Sequence, residues 1–594
     1  MMRRILAAAP AAAVLAAVAV RCLGAQPQPQ APVQDRDPAT FYYAVSGQVD
    51  TLDPAWEFDG LSNEVIFQIY ENLISYDGES TDKFTPLLSY AVPSQANGFL
   101  SPDGLRYTFP IQKGVTFHDG SPLTPEDVRY SFLRFLLMDR LNGPSFLLLN
   151  PILGVDSTLG ADGKPDPSLF AKAQNAIQIQ GDSVVFTLPK PVPYFLSLIA
   201  SVCPVVSKQW TIAHGGWDGQ ESTWIRYRNP VKEYSALYDK PNGTGPFRLE
   251  SWDKDANEIV IARHDNYWRR RARLSRVVYR TVNDVSRRLS LLQSGDADAI
   301  VLERQNLGKA AAIPGVEVRD DEPLLEVHDV FIPTFHVDPV ANHYIGSGIL
   351  DGRGIPPDFF ADINVRKGFA QAFDYDAYIA KGYGGKAERA RGPIPKGLFG
   401  YNPLQGVISY SPEEAAKSFQ KALEGEVWRQ GFTVTIGYAR GYQDRQLACE
   451  LMKRGVEALN PKFHVDVVAM APDALFEAFV SRRMPMMIDR WVMDYPDPAD
   501  SVYPFLDSQG YYAKVQGYSN PTADQYIEQA RHEVQIRDRK WDYWEIQAIA
   551  WEDVPQIYTV DSYHAEVTRS WVRDWNYNPI IFYGYLYRVY KEAQ

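Results

Sequence analysis

The sequence predicts an α/β protein, because strand-like and helix-like segments alternate along its 594 residues. Residues 41–55 (FYYAVSGQVDTLDPA) have a strand-like pattern, and apolar residues between 65 and 73 then recur at helical spacing. Residues 101–135 contain turns, short apolar alternations and a helix start in succession. Such mixing without a tandem repeat is typical of the α/β and α+β classes, of which we predict α/β.

The N-terminal segment, residues 1–25, has the three parts of a secretory signal peptide. Two arginines make a basic start, residues 5–20 are apolar, and small residues precede a cleavage site that we place at the end of the segment. The apolar run is too short for a comfortable membrane-spanning helix. Arg21 precedes Cys22, where a lipoprotein signal needs a small residue, so we expect no lipid anchor. We therefore predict a periplasmic protein that begins with a linker over residues 26–37.

Charge and motif content exclude several functions. The formal net charge is −13, whereas nucleic-acid binding needs clustered Lys and Arg. The sequence contains no HExxH, P-loop, GxSxG or dinucleotide fingerprint, and no Cys or His spacing typical of a metal site. The sequence therefore carries none of these signatures of an enzyme, a cofactor site or a metal site. A secreted hydrolase that uses two carboxylates remains the remote alternative, because acidic residues are plentiful.

A β-hairpin is predicted within residues 101–135. Apolar side chains alternate with polar ones over residues 107–111 and again over residues 115–117, with a Lys-Gly turn between them. Pro110 within the first strand predicts an edge position, because proline cannot donate a ladder hydrogen bond.

Two helix starts carry clear capping signals. Thr124, followed by Pro125 and Asp127, predicts a capping box at the beginning of a helix. A similar start at Ser411 precedes apolar residues at helical spacing, and Gly425 predicts the end of that helix.

The stretch at 101–135 also resembles the signature of the large extracytoplasmic solute-binding proteins of ABC importers, the oligopeptide, dipeptide and nickel group known as solute-binding protein family 5. Further motifs follow in the order that this family shows. They are TLDP (51–54), GTGPFRLESWDKDANEIVIARHDNYW (243–268), RLSLLQSGDADAI (288–300), INVRKGFAQAFDYDAYI (363–379), GPIPKGLFGYNP (392–403), WVMDYPDP (491–498) and GYSNPTADQYIEQAR (517–531). The resemblance covers essentially the whole mature chain.

The resemblance implies a fold like that of type II periplasmic binding proteins, with two α/β lobes, a two-segment hinge and an extra inserted domain. The motif positions imply a first lobe over 38–80, 195–322 and 560–594, an inserted small domain over 81–194 and a second lobe over 323–559. Cys203 and Cys449 then belong to different lobes, so we expect two free buried thiols instead of a disulfide.

The segment RWVMDYPDPAD (490–500) contains the main candidate binding residues. Trp491 and Tyr495 bracket Asp494 where two prolines stiffen the chain after a predicted strand. In peptide-binding relatives the acid of the W-x-x-D motif receives the α-amino group of the ligand, and the resemblance implies this role for Asp494. Trp491 then packs on the ligand chain or its cation. The alternative is that Asp494 only caps a turn.

Weaker candidates come from two other places. Phe58, Asp59 and Gly60 lie at the distance after the TLDP motif where relatives run backbone along the ligand, but they also suit an ordinary loop. Arg490 suits a ligand carboxylate. Relatives do not place an arginine directly before the tryptophan, so a solvent-facing charge is the alternative. Residues 321–360 are longer than the family needs, and form either part of the cleft mouth or a surface loop.

The resemblance implies a substrate-binding component of an ABC importer that captures oligo- or dipeptides by lobe closure. We therefore expect no enzymatic activity, no cofactor and no metal. The partners implied are a small peptide or similar solute and a membrane permease with its ATPase; we expect a monomer. The alternative ligands on this scaffold are an oligosaccharide, an opine-like compound or a metal chelate. A nickel ligand calls for a histidine near the cleft, and the sequence places none there.

Overall fold

The alternation seen in the sequence produces a large mixed sheet covered by helices, as a computed structural model of the chain shows. The structure describes residues 37–141, 143–580 and 584–592. The predicted signal peptide, and the linker up to residue 36, lie outside the described residues. Within the described ranges, no helix is both long enough and apolar enough to cross a membrane. The predicted α/β class is confirmed.

The strands are spread over the whole described range. They are β1 (Thr40–Val45), β2 (Ile74–Tyr76), β3 (Phe84–Pro86), β4 (Arg106–Pro110), β5 (Ile177–Gln180), β6 (Ser183–Thr187), β7 (Phe247–Asp253), β8 (Glu258–Arg263), β9 (Arg276–Thr281), β10 (Ala299–Ile300), β11 (Val316–Pro323), β12 (Glu326–Pro333), β13 (Ala387–Arg389), β14 (Phe432–Ala439), β15 (Phe463–Met470), β16 (Met486–Val492), β17 (Val560–Arg569), β18 (Val572–Arg573) and β19 (Tyr590–Lys591).

The helices are concentrated in two regions, before residue 215 and after residue 360. They are α1 (Gly60–Ile69), α2 (Pro125–Met138), α3 (Phe146–Leu153), α4 (Ser168–Ala176), α5 (Phe195–Ser201), α6 (Lys208–Ala213), α7 (Val285–Ser294), α8 (Leu307–Ala311), α9 (Ile363–Ala372), α10 (Tyr375–Gly382), α11 (Pro412–Lys421), α12 (Glu426–Gln430), α13 (Gln443–Glu457), α14 (Pro472–Val480), α15 (Ala499–Leu506), α16 (Tyr511–Gln516), α17 (Pro521–His532) and α18 (Ile536–Asp553).

The large sheet has two halves that meet at β17. Its order is β15-β14-β16-β12-β17-β10-β1-β9-β8-β7, and β11 and β13 also pair with β17. β17 pairs with β12 only where His328 lies opposite Val560. Most of the buried apolar side chains of β12 and β1 lie in one continuous hydrophobic core, among them Phe331 and Phe41. The narrow connection is where the two-segment hinge is predicted, and the lobe boundaries themselves stay predictions.

The predicted hairpin at 107–117 is wrong. β4 pairs with β6 in a three-stranded sheet of order β4-β6-β5, so β4 is an edge strand, as Pro110 predicts. Val115 and Phe117 are buried, but they belong to a small loop in which the N–H of Phe117 donates to Ser121 and that of Leu123 donates to Val115. Alternating apolar residues therefore report burial here and not strand pairing.

Both predicted helix starts are confirmed. The Thr124 side chain accepts from the N–H of Asp127, and the Asp127 carboxylate accepts from the N–H of Thr124, which completes the capping box of α2. Ser411 caps α11 in the same way, through the N–H of Glu414. Gly425 does not end α11; with φ of 87° it instead precedes α12.

The predicted free thiols are confirmed as well. Cys203 and Cys449 are both buried and unpaired.

Candidate ligand-binding site

A cleft of about 1570 Å³ opens in the described part of the chain. It exceeds the roughly 300–1,000 Å³ of a typical small-molecule pocket. Every predicted binding residue lines it, although the residues come from segments more than 400 positions apart. These residues are Phe58, Asp59, Gly60, Arg490, Trp491, Asp494 and Tyr495.

Asp494 lies in the loop that leaves β16. One of its carboxylate oxygens, Oδ2, is buried and accepts no hydrogen bond. The turn is held by other acids: Asp500 Oδ2 accepts the backbone N–H of Asp494 at 2.6 Å, and Asp497 Oδ1 accepts that of Ala499 at 3.0 Å. Asp497 and Asp500 hold the turn. Oδ2 of Asp494 therefore remains available beside the cleft to accept a hydrogen bond.

Glu57 is a site residue that the sequence reasoning missed. It is buried, lines the cleft and sits in the loop before α1. Its Oε1 accepts the N–H of Asp59 at 2.7 Å, and its Oε2 accepts from Asn63 Nδ2 at 3.1 Å. Asp59 in turn caps α1, accepting the N–H of Ser62 at 2.9 Å. The sequence did contain one signal for this residue, since Glu57 is an acid only two positions before the candidate Asp59.

Glu57, Asp59, Asp494 and Asp500 form what we call the carboxylate cluster. Burial raises the pKa of Glu57 to about 8, with further contributions from Asp59 and Asp494. Burial likewise raises the pKa of Asp494 and of Asp500, and the two acids oppose each other's ionisation. Arg140 lies within electrostatic range of Glu57 and Asp59, with its guanidinium 3.8 Å from the Trp56 ring. These acids hold their protons more tightly in the empty cleft, and a bound cation would favour their ionised form, so this end of the cleft suits a cation.

The raised pKa values predict how the stability of the ligand-free protein depends on pH. A carboxyl with a raised pKa holds its proton more tightly in the folded state than in the unfolded chain. The free energy of unfolding should therefore fall as pH rises from about 4 to about 8. We expect a smaller fall in the double variant Glu57→Gln, Asp494→Asn, measured by urea unfolding across this range. An unchanged fall would contradict the assignment; Asp466→Asn, at an exposed position on β15, is the control.

The other predicted residues of this segment differ in how accessible they are to a ligand; they are Trp491, Arg490 and Tyr495. The Trp491 ring is partly buried and lies 5.9 Å from the Tyr512 ring, so it presents a supported aromatic surface to the cleft. Arg490 Nη1 lies 3.4 Å from Glu326 Oε2, which gives it a carboxylate partner inside the protein. Tyr495 is buried and stacks on Tyr194 with ring centroids 5.1 Å apart. Its ring therefore joins the predicted second lobe to the predicted inserted domain.

A second charged group lies on β12. His328 lines the cleft, where no histidine could be placed from the sequence, and its Nδ1 lies 2.5 Å from Glu326 Oε1. Burial lowers the pKa of His328, but the carboxylates of Glu326 and Asp329 outweigh burial and raise it to about 9. The imidazolium is therefore an internal partner for these acids.

His328, Asp329 and Asp444 offer ligand atoms within 4.8 Å of one another, a spacing suited to a metal ion. Asp329 already has other partners: it accepts from the hydroxyls of Tyr378 and Tyr383 at 2.5 and 2.9 Å, and from Arg445 Nε at 3.2 Å. We interpret the group as an ion-pair network that fixes β12 against α13.

The long segment 321–360 divides into two parts with different positions. Leu324, Glu326 and His328 line the cleft, whereas no residue of 334–360 does. The later part packs against β14, where Thr433 Oγ1 donates to Gly352 at 2.8 Å and Thr435 Oγ1 to Tyr344 at 2.9 Å. Residues 334–360 therefore pack against β14 and contribute no side chain to the cleft wall.

Comparison with known proteins identifies a family. The chain matches the profile described as bacterial extracellular solute-binding proteins, family 5 Middle, over residues 91–513. Members of this family are substrate-binding proteins.

Individual relatives agree with that match. Heme-binding protein A of Haemophilus influenzae is 26% identical over 66% of this chain and 64% of that protein. The probable D,D-dipeptide-binding periplasmic protein DdpA of Escherichia coli is 22% identical over 89% of this chain and 90% of the relative. Among solved structures, the periplasmic binding protein DppA of Helicobacter pylori, in complex with the peptide STSA, superposes with a TM-score of 0.71 at 20% identity. The superposition covers 93% of this chain and 98% of that one.

Proposed function

This chain belongs to the bacterial extracellular solute-binding proteins of family 5, and we propose that it captures peptides with a free amino terminus for an ABC importer. Relatives named as dipeptide- and oligopeptide-binding proteins support a peptide ligand. The cleft volume suits a ligand larger than an ordinary small molecule. In this proposal the protein is a periplasmic monomer, exported by residues 1–25, that passes its ligand to a membrane permease with its ATPase.

The free acceptor of Asp494 is the observation that carries the proposal. A buried carboxylate oxygen without a hydrogen bond is unfavourable in the empty protein, because it has lost water and gained no partner. An ammonium group would supply both the charge and the hydrogen bonds. Glu57 and Asp59 place further negative charge nearby, so a protonated α-amino group is the ligand feature that this end of the cleft accommodates best.

Capture would follow from closure of the predicted lobes around the ligand. Glu57 precedes α1 in the predicted first lobe, and Asp494 follows β16 in the predicted second lobe. A cation bound by both draws the two sides together, and a ligand shifts the equilibrium only insofar as it binds the closed state more tightly. The function needs no covalent step, and we propose binding without turnover, cofactor or metal.

Isothermal titration with matched peptides tests the proposal. We expect Ala-Ala-Ala to bind, and N-acetyl-Ala-Ala-Ala to bind at least about 30-fold more weakly, because acetylation removes the positive charge and leaves the buried carboxylates unpaired. Equal affinity for the two peptides would contradict amine recognition. Binding of neither would contradict a peptide ligand.

A further inference from the structure

Two phenylalanines expose their rings in the wall of the cleft. Phe58 and Phe146 are each 40% exposed and line the cavity, although phenylalanine is among the residues most often found in protein interiors. Their ring centroids are 5.8 Å apart with an interplanar angle of 89°. We call them the Phe58–Phe146 pair. A T-shaped pair with open ring faces can accept a third apolar or aromatic group at favourable geometry.

Hydrogen bonds fix the backbone from which both rings project. Phe58 lies between Glu57 and Asp59, whose hydrogen bonds to each other and to the start of α1 fix the loop. Phe146 is the first residue of α3 and follows Ser145, whose hydroxyl donates to the carbonyl of Phe135 at 2.7 Å. The backbone of the pair is therefore already ordered, so a partner that binds here has to immobilise only side chains.

The pair is adjacent to the carboxylate cluster along the chain. Consecutive Cα atoms are about 3.8 Å apart, so Phe58 lies one residue from two of the four carboxylates. In the first residue of a peptide, the ammonium nitrogen and the side chain are attached to the same Cα. A group that binds that ammonium thus brings the first side chain close to Phe58.

We propose that the Phe58–Phe146 pair is a subsite for an aromatic or large apolar side chain at the first position of the peptide. The inference rests on the proposed function and narrows it to a class of peptide. Another exposed aromatic pair, Phe476 with Tyr511, also lines the cleft, with centroids 6.1 Å apart. Phe476 comes from α14, and its partner Tyr511 lies 6.4 Å from the Trp491 ring, so this second pair is the competing subsite against which the Phe58–Phe146 pair is tested.

Titration of Phe-Ala-Ala and Ala-Ala-Ala tests the subsite. We expect wild type to bind Phe-Ala-Ala at least about tenfold more tightly. Phe146→Ala should reduce this ratio to about threefold or less while its affinity for Ala-Ala-Ala changes little. Phe58→Leu, which keeps apolar bulk, should also lower the ratio, and Phe476→Ala should leave it unchanged. Thermal unfolding of each variant shows that the protein remains folded.

The outcomes separate the two proposals. If wild type binds both peptides equally, or if Phe476→Ala lowers the ratio and Phe146→Ala and Phe58→Leu do not, the subsite is wrong and the peptide function stands. If wild type binds neither peptide, the proposed function fails and the subsite fails with it.

Discussion

Replacing Asp494 with asparagine should weaken binding of a free-amine tripeptide by about 2–5 kcal/mol, which is roughly 30-fold or more. The variant keeps the size of the side chain but removes its charge, so an ammonium buried beside it loses its partner. The loop should be preserved, because its turn is held by Asp497 and Asp500 and not by the Asp494 carboxylate. Isothermal titration gives the affinity, and circular dichroism with thermal unfolding gives the fold.

Two comparisons keep this result specific. Asp466→Asn removes one carboxylate from the exposed face of β15, away from the cleft, and should bind the tripeptide as wild type does. N-acetyl-Ala-Ala-Ala should bind wild type and Asp494→Asn with similar weak affinity, because it has no ammonium to lose. If Asp494→Asn binds the free tripeptide as tightly as wild type does, Asp494 does not bind the ammonium group of the ligand.

Replacing Arg134 with methionine should lower the free energy of unfolding by about 3–5 kcal/mol. Arg134 and Asp53 form a two-pronged ion pair, with Nη1–Oδ1 and Nη2–Oδ2 distances of 2.7 and 2.5 Å. Their side chains are only 5% and 0% exposed. The substitution leaves the Asp53 carboxylate buried without its cation, and a buried charge without a partner strongly destabilises the folded state. Urea unfolding at pH 7 measures the loss.

An exposed ion pair supplies the control. Lys113 and Asp182 are 2.6 Å apart, but their side chains are 81% and 67% exposed, so Lys113→Met should lower the free energy of unfolding far less than Arg134→Met does. Burial raises the pKa of Asp53, but Arg134 outweighs burial and holds it below its usual value. The ion pair therefore stabilises the protein at pH values above the pKa of Asp53 in the unfolded chain. This stabilisation is lost as pH falls through the pKa of Asp53 in the folded protein. Equal losses of unfolding free energy in Arg134→Met and Lys113→Met would contradict this role of the buried ion pair.

Local signals in the sequence predicted the local structure well. The capping residue Thr124, with Asp127 three positions on, specifies hydrogen bonds that form within a single turn, so the beginning of α2 could be read directly. The strand before Asp494 and the stiff loop after it are equally local. The hairpin failed because alternation at Val115 and Phe117 reports only which side chains are buried, while the partner of β4 lies some 75 residues further along the chain.

The composition of the site depended on contacts across the fold. Asp494 was found through the family motif, yet its interaction with Glu57 joins positions far apart in sequence, which no spacing rule connects. His328 was missed for the same reason, because its place beside the cleft follows from the pairing of β12 with β16 and β17. Asp53 belongs to another motif of the family, TLDP (51–54), but its buried ion pair with Arg134 indicates a role in stabilising the fold.

The most direct measurement is native mass spectrometry of the exported protein, followed by denaturation and fragmentation of whatever was bound. The account predicts co-purified masses that fragment as short peptides with unmodified amino termini. A haem, a sugar, an opine-like compound or a metal chelate bound in stoichiometric amount would contradict it, because none of these ligands presents a peptide ammonium group to the Asp494 carboxylate.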